Sequence, residues 1–180
     1  MTLTFQFDEN DYLQYNLFFA SKNQHLKKVW LTMWISVAFV IGAVDFMFFK
    51  NHDYVFATIF AILFVAVLFF YPTYMRYRYR DRLQKMLREQ YRGKPGKPVT
   101  VTFTAEGIEA ADANSISKFG VAELEKVYET GEYFYILFGP GSLFIPKSKI
   151  TDPESVGNEL RTIAEKVRAE YHPELNWKWK

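Results

Sequence analysis

The chain has 180 residues, of which 49% are hydrophobic and 23% charged, and its formal net charge is +2. Its mean hydropathy of −0.13 is too low for a transporter with many membrane passes. Because the chain has no cysteine, disulfide bonds are excluded.

Two apolar runs dominate the first half of the chain. Val29–Phe49 has 21 residues with Asp45 as its only charge, and Tyr54–Tyr71 has 18 residues with none. A helix needs about 20 apolar residues to cross a bilayer. A buried helix of a soluble protein is the alternative, but it normally keeps a polar stripe, which the second run lacks. The runs therefore predict a transmembrane helical hairpin over residues 29–71, preceded by an N-terminal segment of residues 1–28.

Lysine and arginine are distributed unevenly around this hairpin. The loop between the two helices carries only Lys50, whereas nine basic and two acidic residues follow in residues 76–97. Cytoplasmic loops of membrane proteins carry an excess of lysine and arginine. The distribution therefore predicts that both termini lie in the cytoplasm.

The basic residues after the hairpin belong to a predicted juxtamembrane helix and linker, residues 72–96. Its apolar residues recur at helical spacing, at Tyr79, Leu83, Met86, Leu87 and Tyr91. Clustered basic residues beside a bilayer attract anionic headgroups. Nucleic acid would also attract them, but residues 98–180 are acidic, with nine basic and thirteen acidic side chains. We therefore expect contact with anionic membrane lipids and not with nucleic acid. The assigned residues are Arg76, Arg78, Arg80, Arg82, Lys85 and Arg88.

A change of period marks a domain boundary near residue 95. The segment Gly93–Pro98 holds two glycines and two prolines, which cannot sustain a helix. Beyond it, Val99, Val101 and Phe103 alternate with threonines, as in a half-buried strand. Further strands are predicted at Ile108–Ala111, Ile116–Phe119, Val121–Thr130, Tyr133–Phe138 and Leu143–Ile145.

An amphipathic helix is predicted after these strands. Asp152 as N-cap and Pro153 at the first helical position mark its start. Its apolar stripe is predicted at Val156, Leu160, Ile163, Ala164, Val167 and Tyr171. The predicted fold class is therefore α+β, a transmembrane hairpin followed by a small antiparallel β-sheet or partial barrel that this C-terminal helix closes. Residues 97–175 form this domain, which we expect to fold alone.

Residues 176–180 form a short tail in which Trp177 and Trp179 alternate with lysines. Aromatic rings beside cations suit a membrane interface. A frayed tail, or one that packs Trp177 on the domain, is the alternative interpretation.

Three stretches of the sequence resemble the YcxB-like family of bacterial membrane proteins. They are Phe7–Leu13, Val101–Ile108 and the run from Tyr133 to Lys147, arranged around the two-helix hairpin with its basic exit. The resemblance implies a domain similar to bacterial pleckstrin-homology-like domains, held at the cytoplasmic face of the bacterial plasma membrane. It implies no established biochemical activity.

No pattern typical of catalysis or of cofactor binding is recognisable. His25, His52 and His172 lie in three different segments and predict no metal site. We therefore expect no enzyme and no cofactor, but an interaction or regulatory module whose partner is an unknown cytoplasmic protein or peptide. The alternative is an integral-membrane enzyme that modifies lipids, with Asp45, His52 or Asp53 near the outer interface, although two helices enclose an active site poorly.

Overall fold

The structure is a computed structural model that describes residues 1–90, 96–104, 106–112, 115–139 and 141–179. The chain divides into two compact units. The first unit consists of Met1–Tyr15 and Leu87–Lys178, and the second consists of Asn16–Met86 together with Trp179.

Two long helices form most of the second unit. After α1 (Glu9–Lys22), the chain continues as α2 (Gln24–Lys50) and α3 (Tyr54–Gln90). Asn23 caps α2, since its side chain accepts a hydrogen bond from the backbone N–H of Leu26 at 3.2 Å. Both apolar runs are thus helical, and α3 continues without a break through the basic segment to Gln90. Tyr91, which belongs to the same predicted pattern, lies outside the described residues.

The apolar side chains of α2 and α3 remain exposed. In the most apolar 18-residue window of α2, none of the residues is buried. In the corresponding window of α3, 6% of the residues are buried. Phe39 and Phe69 are 75% and 74% exposed. Core helices of soluble proteins bury such side chains, so the alternative of a soluble core does not fit this structure. Both helices are long and apolar enough to cross a membrane.

The described part of the first unit contains two four-stranded sheets. Their strands are β1 (Thr2–Gln6), β2 (Pro98–Phe103), β3 (Gly107–Ala111), β4 (Ile116–Gly120), β5 (Leu124–Thr130), β6 (Tyr133–Phe138), β7 (Gly141–Pro146) and β8 (Glu170–Glu174). The first sheet is antiparallel, in the order β1, β2, β3, β4. The second has the order β7, β6, β5, β8, and β8 runs parallel to β5.

The predicted single antiparallel sheet therefore needs correction. The structure is α+β, but its strands form one antiparallel and one mixed sheet and, in the described residues, no closed barrel. The mixed pairing arises because the chain returns after α4 (Pro153–Val167) and adds β8 beside β5. Tyr171, predicted on the stripe of the helix, lies in β8, since the helix ends at Val167 and Arg168 takes a left-handed conformation with φ of 60°.

The start of α4 confirms the prediction from the sequence. The Asp152 side chain accepts a hydrogen bond from the backbone N–H of Ser155 at 3.0 Å, and Pro153 is the first helical residue. The buried side of the helix consists of Val156, Gly157, Leu160 and Ala164. This side faces the second sheet, where α4 contacts β5 and β8.

Strand β1 joins the first sheet from the beginning of the chain. Leu3 lies opposite Val101 and Phe5 opposite Val99, and both Leu3 and Phe5 are buried. The remaining residues of β1 are exposed, which is the alternation expected of a strand with one side in a core. Residues 1–28, interpreted from the sequence as a separate segment, thus contribute Met1–Tyr15 to the unit that holds the sheets.

Candidate functional site

The six basic residues predicted to contact anionic lipid lie on α3, and all are exposed. We call Arg76, Arg78, Arg80, Arg82, Lys85 and Arg88 the basic stalk. Leu83 and Leu87 are buried and define the packed side of this part of the helix. At 3.6 residues per turn, Arg78 and Lys85 point away from that side. The stalk therefore presents its charge to the surroundings.

Two cations of the stalk have carboxylate partners. Lys85 Nζ lies 3.1 Å from Asp81 Oδ2, one helical turn earlier, and Arg88 Nε lies 3.2 Å from Glu9 Oε2. All four side chains are more than one third exposed. Such surface pairs contribute about 0–1 kcal/mol, so an anionic surface can displace them.

The other cations of the stalk keep an unbalanced positive charge. Within the described residues, Arg76, Arg78, Arg80 and Arg82 have no carboxylate within ion-pair distance, although the Arg78 guanidinium lies over the Tyr74 ring at 5.9 Å. Arg92 and Lys94, which belong to the same basic cluster in the sequence, lie outside the described residues. Four guanidinium groups without a carboxylate partner on one helix suit a ligand or surface that carries negative oxygen atoms.

Three aromatic rings meet inside the second unit. The ring centroid of Trp30 lies 5.3 Å from that of Tyr79, and the Trp179 centroid lies 6.0 Å from Trp30 and 5.8 Å from Tyr79. Trp179 is therefore packed and not frayed. Trp177 belongs to the first unit, where its backbone N–H donates to the carbonyl of Glu174 at 2.8 Å.

The three residues of the alternative, catalytic interpretation are not assembled into one group. His52 Nδ1 is hydrogen bonded with the Tyr54 hydroxyl at 2.9 Å. Asp45 lines a cavity of about 350 Å³ whose wall also contains Tyr54 and Thr58. In the part of the chain that the structure describes, no hydrogen bond joins Asp45, His52 and Asp53, and no cluster of three metal-binding side chains occurs.

A buried carboxylate in the first unit joins three distant parts of the sequence. Asp11 is 2% exposed, accepts a hydrogen bond from the Tyr133 hydroxyl at 2.9 Å and forms a salt bridge with Lys149. Its Oδ2 also accepts from the backbone N–H of Asp8 at 2.8 Å, and Asp8 Oδ1 accepts from the N–H of Asp11 at 2.8 Å. We call Asp8, Asp11, Tyr133 and Lys149 the Asp11 cluster. It caps α1 and ties that helix to β6 and to the turn after β7.

The charges of the Asp11 cluster stabilise one another. Burial alone would raise the pKa of Asp8, but the hydrogen bonds and the charge of Lys149 and the N–H of Asp11 outweigh it and lower that pKa below its usual value. Burial alone would lower the pKa of Lys149, but its bonds to Asp11 and Asp8 raise it. Asp8 and Lys149 therefore remain ionised at neutral pH.

A second cluster is centred on Glu129 of β5. Its carboxylate lies 2.8 Å from Lys147 Nζ, accepts a hydrogen bond from the Tyr171 hydroxyl at 2.6 Å and lies 3.8 Å from Arg161. Burial would raise the pKa of Glu129, but these partners lower it overall. Burial, together with the hydrogen bond to Glu129, raises the pKa of Tyr171 to about 12.

Both clusters have the chemistry of structural ion pairs. A general base works best with a pKa near the operating pH, whereas the carboxyl pKa values of Asp8 and Glu129 are lowered. Each cluster instead fastens a terminal element to the second sheet. The Asp11 cluster holds α1, and the Glu129 cluster holds α4 through Arg161 and β8 through Tyr171.

Sequence reasoning did not find the Asp11 cluster, although one signal was present. Phe7–Leu13 carried the family resemblance without an assigned role. The structure supplies that role, because the Phe7 ring lies 4.3 Å from Phe144, Asp8 and Asp11 form the cluster, and Leu13 is buried.

The comparisons with known proteins agree with the resemblance in part of the chain. Residues 103–161 match the family model of the YcxB-like protein. The match begins at the last residue of β2, ends within α4 and covers a third of the chain. No curated protein and no solved structure matches the chain. The run Tyr133–Lys147 lies inside the match and Phe7–Leu13 lies outside it, so the chain carries a YcxB-like region at residues 103–161.

Proposed function

We propose that this chain is a membrane-anchored, non-catalytic interaction or regulatory module of a bacterial plasma membrane. In this proposal α2 and α3 anchor the chain, and the first unit is displayed in the cytoplasm as a pleckstrin-homology-like domain. The observation that carries the proposal is the exposed apolar surface of α2 and α3, followed along α3 by the exposed charges of the basic stalk. The YcxB-like region supports the same reading of the domain.

Helix length supports the anchoring step. α2 has 27 residues and α3 has 37. At about 1.5 Å per residue, each is longer than the roughly 30 Å of a hydrocarbon core. Exposed apolar surface costs about 25 cal/mol per Å² in water, and insertion removes this cost.

Alkaline carbonate extraction tests the anchoring directly. We expect the chain to remain in the membrane pellet after carbonate treatment and to enter solution only with detergent. Release by carbonate alone would mean that α2 and α3 do not span the bilayer, and it would contradict the proposed function.

The orientation of the hairpin is the first prediction. Lys50 alone marks the loop between the helices, and nine basic residues follow α3 or lie in its last turns. Pairing of β1 with β2 requires both strands to lie on one side of the membrane, so α2 and α3 must cross it in opposite directions. A reporter fused at Asn51 should be active outside the cytoplasm, and one fused at the C-terminus should be active inside. A C-terminal reporter active only outside would contradict this topology.

Lipid contact by the basic stalk is the second prediction. A peptide of residues 76–97 should bind vesicles that contain phosphatidylglycerol and should be released by salt, because each basic residue near an anionic surface contributes about 1 kcal/mol that salt screens. A peptide with the stalk residues changed to glutamine is the matched control and should not bind. Equal binding to purely zwitterionic vesicles would show that charge is not the cause.

The proposed partner of the first unit is an unknown cytoplasmic protein or peptide. β4 lies at the edge of the first sheet, and Ile116 at its start is 68% exposed. The unpaired backbone groups of an edge strand can add a strand from another chain. Cross-linking in native membranes would identify such a partner.

The alternative function is an integral-membrane enzyme that modifies lipids. One observation favours it, since Asp45 Oδ1 is buried without a hydrogen-bond partner among the described residues and Asp45 lines a cavity. An intramembrane carboxylate is a common mark of a functional site. Conversion of a lipid by the purified chain, abolished in Asp45→Asn, would favour the enzyme over the module.

A further inference from the structure

A cavity between α2 and α3 lies where the basic stalk begins. Its volume is about 240 Å³. Its lining includes Lys27, Trp30 and Trp34 of α2 and Tyr71, Met75 and Arg76 of α3. All of them belong to the second unit. The cavity therefore combines two cations with an aromatic wall at one end of the hairpin.

The polar groups of this cavity are donors without acceptors. Among the described residues, neither Lys27 nor Arg76 has a carboxylate partner, and Trp34 Nε1 is buried without a hydrogen-bond partner. A buried donor without an acceptor costs about 1–3 kcal/mol. An occupant that supplies negative oxygen atoms would satisfy all three groups at once.

The size of the cavity restricts the occupant. Pockets for drug-sized ligands measure about 300–1,000 Å³, so this cavity suits a headgroup and not a whole lipid. A larger groove of about 640 Å³ shares Tyr71 with it and has an apolar side formed by Val29, Met33 and Val37. The polar side chains of its wall are His25, Lys28, Thr32 and Ser36. The apolar side chains lie along α2 in the direction of the hairpin loop, where an acyl chain would run.

We propose that this cavity binds the phosphate headgroup of one anionic phospholipid. Lys27 and Arg76 pair with the phosphate, Trp34 Nε1 donates a hydrogen bond to it, and an acyl chain occupies the adjoining groove. This inference rests on the proposed function, because a lipid reaches the cavity only when the hairpin lies in a bilayer. It goes further, because it assigns one bound lipid to residues that differ, except for Arg76, from the basic stalk.

The test is lipid retention by the purified full chain in an uncharged detergent, which offers no extended anionic surface. Phosphatidylglycerol and phosphatidylcholine are added in equal amounts, and native mass spectrometry counts the lipids retained. The wild-type chain should retain one phosphatidylglycerol in preference to phosphatidylcholine. The double variant Lys27→Gln, Arg76→Gln should bind phosphatidylglycerol about tenfold more weakly or worse.

Two further variants keep the test specific. Lys50→Gln with Lys166→Gln removes the same charge from exposed positions outside both the cavity and the basic stalk, so it should retain the lipid within about twofold of wild type. Trp34→Phe keeps an aromatic ring, removes the N–H and should weaken retention less than the double variant does. Helix content measured by circular dichroism confirms that each variant is folded.

Three outcomes would overturn the inference. They are a wild-type chain without preference for phosphatidylglycerol, equal loss in the cavity variant and the control variant, and full retention by the folded cavity variant. Carbonate extraction of the same wild-type chain distinguishes failure of this inference from failure of the proposed function. A chain that stays in the membrane but shows no lipid preference contradicts this inference alone, whereas a chain released by carbonate contradicts the proposed function as well.

Discussion

Replacing Phe5 with alanine should lower the free energy of unfolding of the first unit by about 3–5 kcal/mol. Phe5 is 4% exposed, lies opposite Val99 of β2 and has its ring 5.2 Å from that of Phe7. Removal of the ring leaves a cavity in the core that β1 covers. Urea unfolding of the full chain in detergent measures the loss, and hydrogen exchange at the β2 amides that face β1 locates it.

The matched control for this change lies on the same strand. Thr4 is exposed on the opposite side of β1, so Thr4→Ala should change stability by less than about 0.5 kcal/mol. Equal effects of the two variants would mean that β1 does not belong to the sheet. The comparison also bears on the expectation that residues 97–175 fold alone, since a fragment without β1 loses the neighbour of β2.

Asp11→Ala should destabilise the first unit by about 3 kcal/mol. Among the described residues, the change leaves Lys149, whose side chain is 26% exposed, with only Asp8 as an anionic partner, and it removes the acceptor of the Tyr133 hydroxyl. The value lies at the lower end for a broken buried ion pair because Lys149 can still reach water. Urea unfolding of the full chain measures it.

Tyr133→Phe separates the two contributions of the Asp11 cluster. It removes one hydroxyl and keeps the salt bridge, so it should cost about 1 kcal/mol. In the double variant the two losses should not add, because both depend on the Asp11 carboxylate. Additive losses would show that the Tyr133 hydroxyl and Asp11 do not interact. A loss for Asp11→Ala no greater than that for Tyr133→Phe would show that the salt bridge with Lys149 contributes nothing.

Helices α2, α3 and α4 could be predicted because their signals are local, whereas α1 (Glu9–Lys22) was not predicted. Each apolar run is longer than any strand, and the loop Asn51–Asp53 separates them clearly. The start of α4 could also be predicted, since a capping aspartate followed by proline is typical of a helix N-terminus. The strands β2 to β7 followed from alternating residues and the turns between them. The predicted strand Val121–Thr130 was too long, because Val121–Glu123 form a short 3₁₀ helix and β5 begins at Leu124.

Two strands escaped prediction because their partners are distant in sequence. Thr2–Gln6 alternates as a strand should. However, the segment has only five residues and precedes the predicted membrane hairpin, so there was no reason to expect a sheet there. Glu170–Glu174 contains Pro173 and three polar or charged residues, Glu170, His172 and Glu174. Only its pairing with β5 makes it a strand. Tyr171 was therefore assigned to the preceding helix, whose spacing it happens to continue.

The candidate sites divide in the same way. The basic stalk could be located from the sequence because its residues follow one another on one helix, and its contact with lipid stays a prediction. The Asp11 cluster could not be located from the sequence, because its members are far apart along the chain. Tyr133 lies 122 residues after Asp11, and Lys149 lies 138 residues after it. Each of these residues alone is ordinary, and only the fold brings them together.

The position of β1 before the hairpin has a consequence for the synthesis of the protein. Thr2 and Thr102, which are paired across the sheet, are 100 residues apart. At about 5–20 residues per second, β1 leaves the ribosome roughly 5–20 s before its partner. In the proposed membrane arrangement the hairpin inserts during that interval, and a hairpin with only one helix across the bilayer would leave β1 and β2 on opposite sides. Closure of the first sheet would therefore exclude a half-inserted chain but would accept a hairpin of either orientation.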